Sequence, residues 1–75
     1  MMRKLTQAAF KNCPPHVRSA SVVKNGMAYG FEVPADTVRK KGLDWALENE
    51  TVAVLSGRFD ATDWQNSVID REPVK

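Results

Sequence analysis

The sequence predicts an α+β fold, a small domain with a β-hairpin plus a third strand and two or three short helices. The Asn25-Gly26 pair lies between two apolar stretches, as in tight hairpins. A β-branched run at Thr51–Leu55 predicts a further strand. Pro34 and Gly42 mark the start and the end of a short helix. The 75 residues form one domain, divided into an N-terminal segment (1–16), a hairpin–helix–strand core (17–55) and an acidic C-terminal helix with a tail (56–75).

The N-terminal segment is expected to begin with a helix. Leu5–Lys11 has room for about two turns, with Thr6 as the N-cap. Pro14 and Pro15 end this helix, because each lacks an amide hydrogen and biases the preceding residue toward extended backbone.

The hairpin is expected to span residues 17–33 with a two-residue turn at Asn25-Gly26. Such a turn requires positive φ at both positions. It predicts a register in which six of the eight paired side chains on one face are apolar, while the other face is mostly small or polar. The predicted pairs are Lys24 with Met27, Val22 with Tyr29, Ala20 with Phe31, and Arg18 with Val33.

The segment after the hairpin carries helix and strand signals in turn. Asp36 near the start of the first helix, and Arg39, Lys40 and Lys41 in its last turn, complement the helix dipole. Residues 44–50 predict a second helix with Trp45 and Leu47 in the core. Thr51–Leu55 predicts a buried strand beside the hairpin.

The C-terminal segment is expected to form the last helix. Asp60 is its predicted N-cap, with Asp63 in the first turn and Phe59 packed against Trp64. Pro73 ends it. Three residues form an apolar stripe at helical spacing, with Ile69 at its edge: Ala61, Trp64 and Val68.

Charge is divided unequally along the chain. Residues 1–41 contain eight basic and two acidic residues, a net charge of +6, whereas residues 42–75 contain three basic and seven acidic residues, a net charge of −4. The total of +2 conceals this difference. A basic half attracts polyanions, and an acidic half attracts a basic partner or shields the first half.

Composition indicates a cytoplasmic protein with no membrane segment. Cys13 is the single cysteine, so no disulfide forms within the chain, and a lone thiol suits a reducing compartment. No apolar run approaches the roughly 20 residues that cross a bilayer, and the start of the chain is too polar for a signal peptide. A chain this short has a thin stability margin, which favours a homodimer.

The sequence disfavours an enzyme and indicates no cofactor or metal. Cys13 and His16 are three positions apart across two prolines, and a catalytic pair would also need an orienting group and a pocket. A structural zinc site requires four Cys or His ligands. The glycines are too scattered for a phosphate-binding loop.

Two binding surfaces are predicted instead. Phosphate contacts are expected from Arg18, Lys24, Arg39, Lys40 and Lys41, with Asn25 near base edges, because a two-stranded ribbon fits the major groove. Trp64, Val68 and Ile69, flanked by acids, are expected to bind a protein partner or a second copy of the chain. The same residues also suit simpler roles, the basic triplet in stabilising a helix end and the apolar stripe in the chain's own core.

The stretch from Val22 to Leu55 resembles the AbrB/MazE-type swapped-hairpin domain. The matching residues are Phe31-Glu32-Val33-Pro34, Arg39-Lys40-Lys41-Gly42-Leu43 and Val52-Ala53-Val54-Leu55. This resemblance implies an intertwined dimer that binds operator DNA through basic residues near the hairpin. In antitoxin members of that family, an acidic C-terminal extension wraps a toxin.

The hairpin is also similar to the wing of lambda-type excisionases, through Val23-Lys24-Asn25-Gly26 followed by Tyr29 and Phe31. Both resemblances imply DNA. The resulting hypothesis is a small DNA-binding transcriptional regulator, antitoxin-like, with the basic half on DNA and the acidic helix on a protein partner. The alternative is a protein–protein interaction module or inhibitor from a mobile element that binds no nucleic acid.

Overall fold

Four antiparallel strands form the centre of the protein, in the spatial order β3 (Thr51–Leu55), β2 (Ala28–Phe31), β1 (Ser19–Val22) and β4 (Ile69–Asp70). The computed structural model describes residues 4–55 and 57–72. The predicted α+β fold is confirmed. In chain order the elements are a 3-10 helix Gln7–Asn12, β1 Ser19–Val22, β2 Ala28–Phe31, α1 Ala35–Lys41, α2 Leu43–Asn49, β3 Thr51–Leu55, a 3-10 turn Trp64–Asn66, and β4 Ile69–Asp70.

The hairpin of β1 and β2 forms around Asn25-Gly26, but its turn has three residues rather than two. The Gly26 amide donates to the Val23 carbonyl at 2.9 Å, and Gly26 has φ +87°. Asn25 does not have the positive φ that a two-residue turn demands. Its Oδ1 instead accepts from the Met27 amide at 3.1 Å. The predicted register is therefore wrong by one residue, and the observed pairs are Ser19 with Phe31, Ala20 with Gly30, Ser21 with Tyr29, and Val22 with Ala28.

A shift of one residue changes which side chains share a face of the sheet. In the observed register Ser19 and Ser21 lie on the face of Phe31, and both serines are buried. Their hydroxyls are satisfied, since Ser19 Oγ donates to the Val33 carbonyl at 2.6 Å and Ser21 Oγ lies 3.1 Å from Ser67 Oγ. The prediction distinguished an apolar face from a small or polar one, whereas both faces of this hairpin are covered.

We call the side covered by α1 and α2 the helical face. Its buried core comprises Phe31, Ala35, Val38, Ala46 and Val68. The first helix is confirmed, and it ends at Gly42, which has φ +96°. The second helix is confirmed with its bounds one residue earlier. Ala46 is its fully buried residue, while Trp45 and Leu47, the predicted core residues, pack only at the margin.

We call the opposite side the loop face, because irregular segments cover it. Its buried core comprises Phe10, Val17, Ala20, Val22, Ala28, Leu55 and Phe59. Val17 packs directly on Gly30, where an added Cβ would lie 2.9 Å from Val17 Cγ1. The predicted N-terminal helix is a 3-10 helix, and Thr6 makes no side-chain capping hydrogen bond.

Arg71 fastens the N-terminal segment to the loop face. Its guanidinium donates to the carbonyls of Pro14 at 2.8 Å, Phe10 at 3.2 Å and Val17 at 3.4 Å. The cation also lies 5.8 Å from the centroid of the Phe10 ring. A planar fork of donors suits such a cluster of carbonyl acceptors. This contact joins residues more than fifty positions apart.

β3 is confirmed as the third strand and pairs with β2, with a register irregularity at Gly30/Phe31. The prediction that it is buried is wrong. It forms an edge of the sheet, and within it only Leu55 is buried, while Val54 is 58% exposed. A β-branched composition suits an edge strand as well as a central one.

The predicted last helix is wrong, because residues 60–70 form turns and a short fourth strand. Asp60 accepts from the amide and hydroxyl of Thr62, and Ser67 Oγ accepts from the Val22 amide at 2.9 Å. Such side-chain hydrogen bonds compete with helical ones. Ile69 and Asp70 pair with Ala20 and Ser19. Thus Trp64, Val68 and Ile69 do not share a helix. No helix among the described residues is long and apolar enough to span a membrane.

Candidate nucleic-acid interface

The last turn of α1 presents three consecutive basic residues, all exposed. Arg39 is held in place, since its guanidinium donates to Asp36 Oδ1 at 2.9 Å and to the Val68 carbonyl at 3.3 Å. Lys41 Nζ lies 5.7 Å from the centroid of the Trp45 ring. Lys40 is exposed, with no ion pair to any described acid. The triplet therefore combines one oriented guanidinium with two ammonium groups at a helix end that favours cations.

The hairpin turn carries the next two predicted residues, Lys24 and Asn25, both exposed. Its backbone is anchored, because the Phe59 amide donates to the Gly26 carbonyl at 2.9 Å. Asn25 uses Oδ1 within the turn, and its amide nitrogen has no hydrogen-bond partner among the described residues. The turn thus offers one cation and one amide donor from a fixed backbone.

The contacts of α1 indicate that its last turn lies toward the hairpin-turn end of the sheet. Its first amide, at Ala35, donates to Asp70 Oδ1 at 2.8 Å, and Asp70 pairs with the start of β1. Arg39, a turn later, reaches Val68, which precedes the residue paired with Ala20. The helix therefore runs along β1 toward the hairpin turn. We call this set the basic end: Lys24, Asn25, Arg39, Lys40 and Lys41.

Arg18 lies away from the basic end. It precedes β1 at the opposite end of the hairpin, where its amide donates to the Phe31 carbonyl at 2.7 Å. Its own carbonyl accepts from the Arg71 amide at 2.8 Å. The side chain is exposed, but the structure does not bring it together with the other five predicted residues.

The charge division along the sequence is not cancelled by ion pairs. Within residues 4–55 and 57–72 the one ion pair is Arg39 with Asp36, and both belong to the basic half. Both side chains are largely exposed, at 56% and 84%, so this pair contributes little to stability. A shallow pocket of about 270 Å³ beside Arg39 has polar lining from Ser21, Gln65 and Asn66 and no acid. The cations of the basic end therefore remain accessible.

The residues predicted to bind a partner lie on different sides of the sheet. Val68 is buried in the core of the helical face, so its role is to pack within the chain's own core. Trp64 and Ile69 pack against the core of the loop face and remain partly exposed. The sequence alone did not predict that β3 is an exposed edge strand. The absence of charged residues in Thr51–Leu55 suggested a buried strand instead.

Cys13 and His16 do not form an evident catalytic pair. Cys13 Sγ contacts the Ala9 carbonyl at 3.6 Å, and burial raises the pKa of this thiol despite the opposing effect of Arg71. A raised pKa keeps the sulfur protonated and weakens it as a nucleophile. His16 is exposed. The described part of the chain contains no group of three or more His, Cys, Asp or Glu residues arranged to hold a metal ion.

No protein-family model, curated protein or solved structure matches this chain. The resemblances to swapped-hairpin and excisionase domains stay predictions.

Proposed function

We propose that this protein is a small DNA-binding regulator that contacts DNA through its basic end. The supporting observation is that an exposed basic triplet and an exposed hairpin turn share one end of the sheet, with no ion pair to the acidic half among the described residues. Polyanion binding requires cations that are free to replace the counterions of the phosphates. The regulatory role follows the resemblance to swapped-hairpin regulators.

Each member of the basic end has a role suited to its chemistry. Lys24, Lys40 and Lys41 act as mobile point charges on phosphates. Arg39, which Asp36 orients, fixes the position of the end of α1 on the phosphate backbone of the DNA. The hairpin is narrow enough to enter the major groove, and there the side-chain amide of Asn25 donates to acceptors on the base edges. Contacts to phosphates give affinity without sequence selection, so selection depends on the hairpin turn.

The test is a titration of a fluorescently labelled DNA duplex at several salt concentrations, followed by anisotropy. Replacing Lys40 and Lys41 by Ala should make the negative slope of log affinity against log salt shallower by about 2, since each phosphate contact contributes roughly −0.9 to that slope. The matched control replaces Lys11 and Arg18 by Ala, which removes the same charge outside the basic end. Absence of binding at low salt would overturn the proposal. Equal losses in both variants would overturn this interface.

The antitoxin-like part of the proposal adds a protein partner on Trp64 and Ile69. Its support is that both side chains remain partly exposed although they pack on the loop face. A pull-down in which binding is lost with Trp64→Ala and kept with Lys40→Ala/Lys41→Ala would support it. Circular dichroism must show that Trp64→Ala is folded. A partner recovered by a protein that binds no DNA would favour the alternative, an interaction module or inhibitor.

A further inference from the structure

The outer edge of β3 is open. β2 pairs with one side of Thr51–Leu55, and no strand of the described chain pairs with the other side. An edge strand directs alternate amide and carbonyl groups outward, where they accept a further strand. The opposite edge of the sheet is β4, which has only two residues and offers far less backbone. β3 is therefore the extended edge of this fold.

The strand itself lacks two features that proteins use to prevent strand addition, namely charged side chains and proline. Thr51–Leu55 contains no charge and no proline, and Val54 is 58% exposed. Charged side chains, prolines and very short strands normally protect edges. A groove of about 230 Å³ runs beside the strand and offers space for side chains of an added strand. The N-terminal segment lines one side of this groove, with Ala8, Ala9, Pro14 and one cation, Lys4, and the strand lines the other with Ala53, Val54 and Leu55.

The charges that flank β3 identify the strand that fits. Glu50 directly precedes β3, Glu48 lies in the last turn of α2 just before it, and Arg58 follows it. None of the three forms an ion pair within the described residues. Two copies of β3 paired in antiparallel fashion bring Arg58 of each copy toward the acids of the other, twice by symmetry. A parallel pair would place like charges together. An isologous contact of this kind closes into a dimer.

We propose that β3 pairs with β3 of a second copy of this chain, antiparallel about Ala53, to form a continuous eight-stranded sheet. Backbone hydrogen bonds supply the affinity, and the opposite charges at the two ends of the strand set the direction. A five-residue contact is small for a dimer interface, so the association is weak and depends on concentration. This pairing of strands is independent of DNA binding.

The first test is the molecular mass of the full chain, measured without DNA by sedimentation from about 1 μM to about 1 mM. The expected result is a monomer that converts to a dimer. Val54→Lys should raise the dissociation constant at least about tenfold, because a charge at an edge opposes strand addition. Met27→Lys is the matched control, since Met27 is an exposed apolar residue of the hairpin outside β3. A monomer at every concentration, or a dimer insensitive to Val54→Lys, would overturn the proposal.

The second test is a charge exchange. Arg58→Glu should weaken the dimer about threefold to tenfold, as expected for two exposed pairs at the ends of a strand. Combining it with Glu48→Lys and Glu50→Lys should restore the dimer. Failure of this rescue would overturn the antiparallel arrangement. Hydrogen exchange at the β3 amides tests the occupant. If these amides become protected only when an extended polypeptide is added, and not when the protein concentration rises, a second copy of the chain is the wrong occupant.

Discussion

The two faces of the sheet have comparable cores but are covered in different ways. On the helical face, the helices α1 and α2 form where nearby residues in the sequence favour them. Asp36 and the basic triplet complement the dipole of α1, and Gly42 separates the two helices. On the loop face, the cover is joined to the sheet by hydrogen bonds from residues far away in sequence, with Arg71 and Ser67 the main examples. The difference shows that a buried face does not require a regular element over it, provided that backbone polar groups find side-chain partners.

The largest expected effect tests whether the loop face is as well packed as the helical face. Phe59 on the loop face and Phe31 on the helical face are each at most 1% exposed. Replacing either by Ala should lower the free energy of unfolding by about 3 to 5 kcal/mol. Urea unfolding followed by circular dichroism measures both, and Phe→Leu at the same positions provides milder variants. A small effect for Phe59→Ala alone would show that the loop face is loosely attached.

The next effect concerns the clamp on the N-terminal segment. Arg71→Ala removes donors to three carbonyls and should cost about 2 to 3 kcal/mol of unfolding free energy. Arg71→Lys should recover only part, because an ammonium lacks the planar fork. Arg58→Ala is the control, since Arg58 is exposed, and should change stability by less than about 0.5 kcal/mol. Equal effects at the two arginines would contradict the clamp.

A smaller effect is expected at the serine that joins the C-terminal turns to β1. Ser67 Oγ accepts from the Val22 amide at 2.9 Å and lies 2.7 Å from the Trp64 carbonyl. Ser67→Ala leaves that amide without a partner and should cost about 1 to 2 kcal/mol. Thermal unfolding measures the loss, with the exposed Gln65→Ala as reference. A neutral Ser67→Ala would mean that the amide finds another partner.

The smallest effect is a pH dependence at Asp60. Hydrogen bonds from the hydroxyl and amide of Thr62 lower the pKa of this carboxyl below its ordinary value. A lowered folded pKa stabilises the protein above the unfolded pKa, about 3.9, and this stabilisation disappears as the pH falls through the folded pKa. The stability advantage of the native chain over Asp60→Asn should therefore be present at pH 7 and shrink below about pH 4. An advantage that is constant with pH would rule out the carboxylate as its source.

The elements that the sequence could predict are those that depend on local signals, as on the helical face, and not those that depend on distant contacts, as on the loop face. α1, α2, β3 and the existence of the hairpin depend on local signals, and all four are present in the structure. The hairpin register could not be predicted, because the burial of Ser19 and Ser21 depends on hydrogen-bond partners at Val33 and Ser67 that local sequence does not reveal. The last helix was mispredicted for a related reason, since helical spacing of apolar residues says nothing about side-chain hydrogen bonds that compete with a helix.

The candidate site was partly predictable as well. The basic triplet and the turn residues Lys24 and Asn25 were identified from composition and turn chemistry. Their location toward one end of the sheet depends on the direction of α1, which two long-range contacts indicate, Ala35 with Asp70 and Arg39 with Val68. Arg18 was grouped with them because sequence distance to the hairpin turn does not show which end of the strand a residue occupies.

The pairing of β4 with β1 also affects how the chain acquires its structure during synthesis. Gln7 bonds to the Asp70 carbonyl and Glu72 amide, and Arg71 holds residues 10–17. The ribosome therefore releases the early residues long before their partners exist. Contacts of such high sequence separation slow folding. Until residues 69–72 emerge, β1 is paired with β2 on one side only and its other edge lacks β4, so we expect a chain truncated before Ile69 to be cut by proteases faster than the full chain.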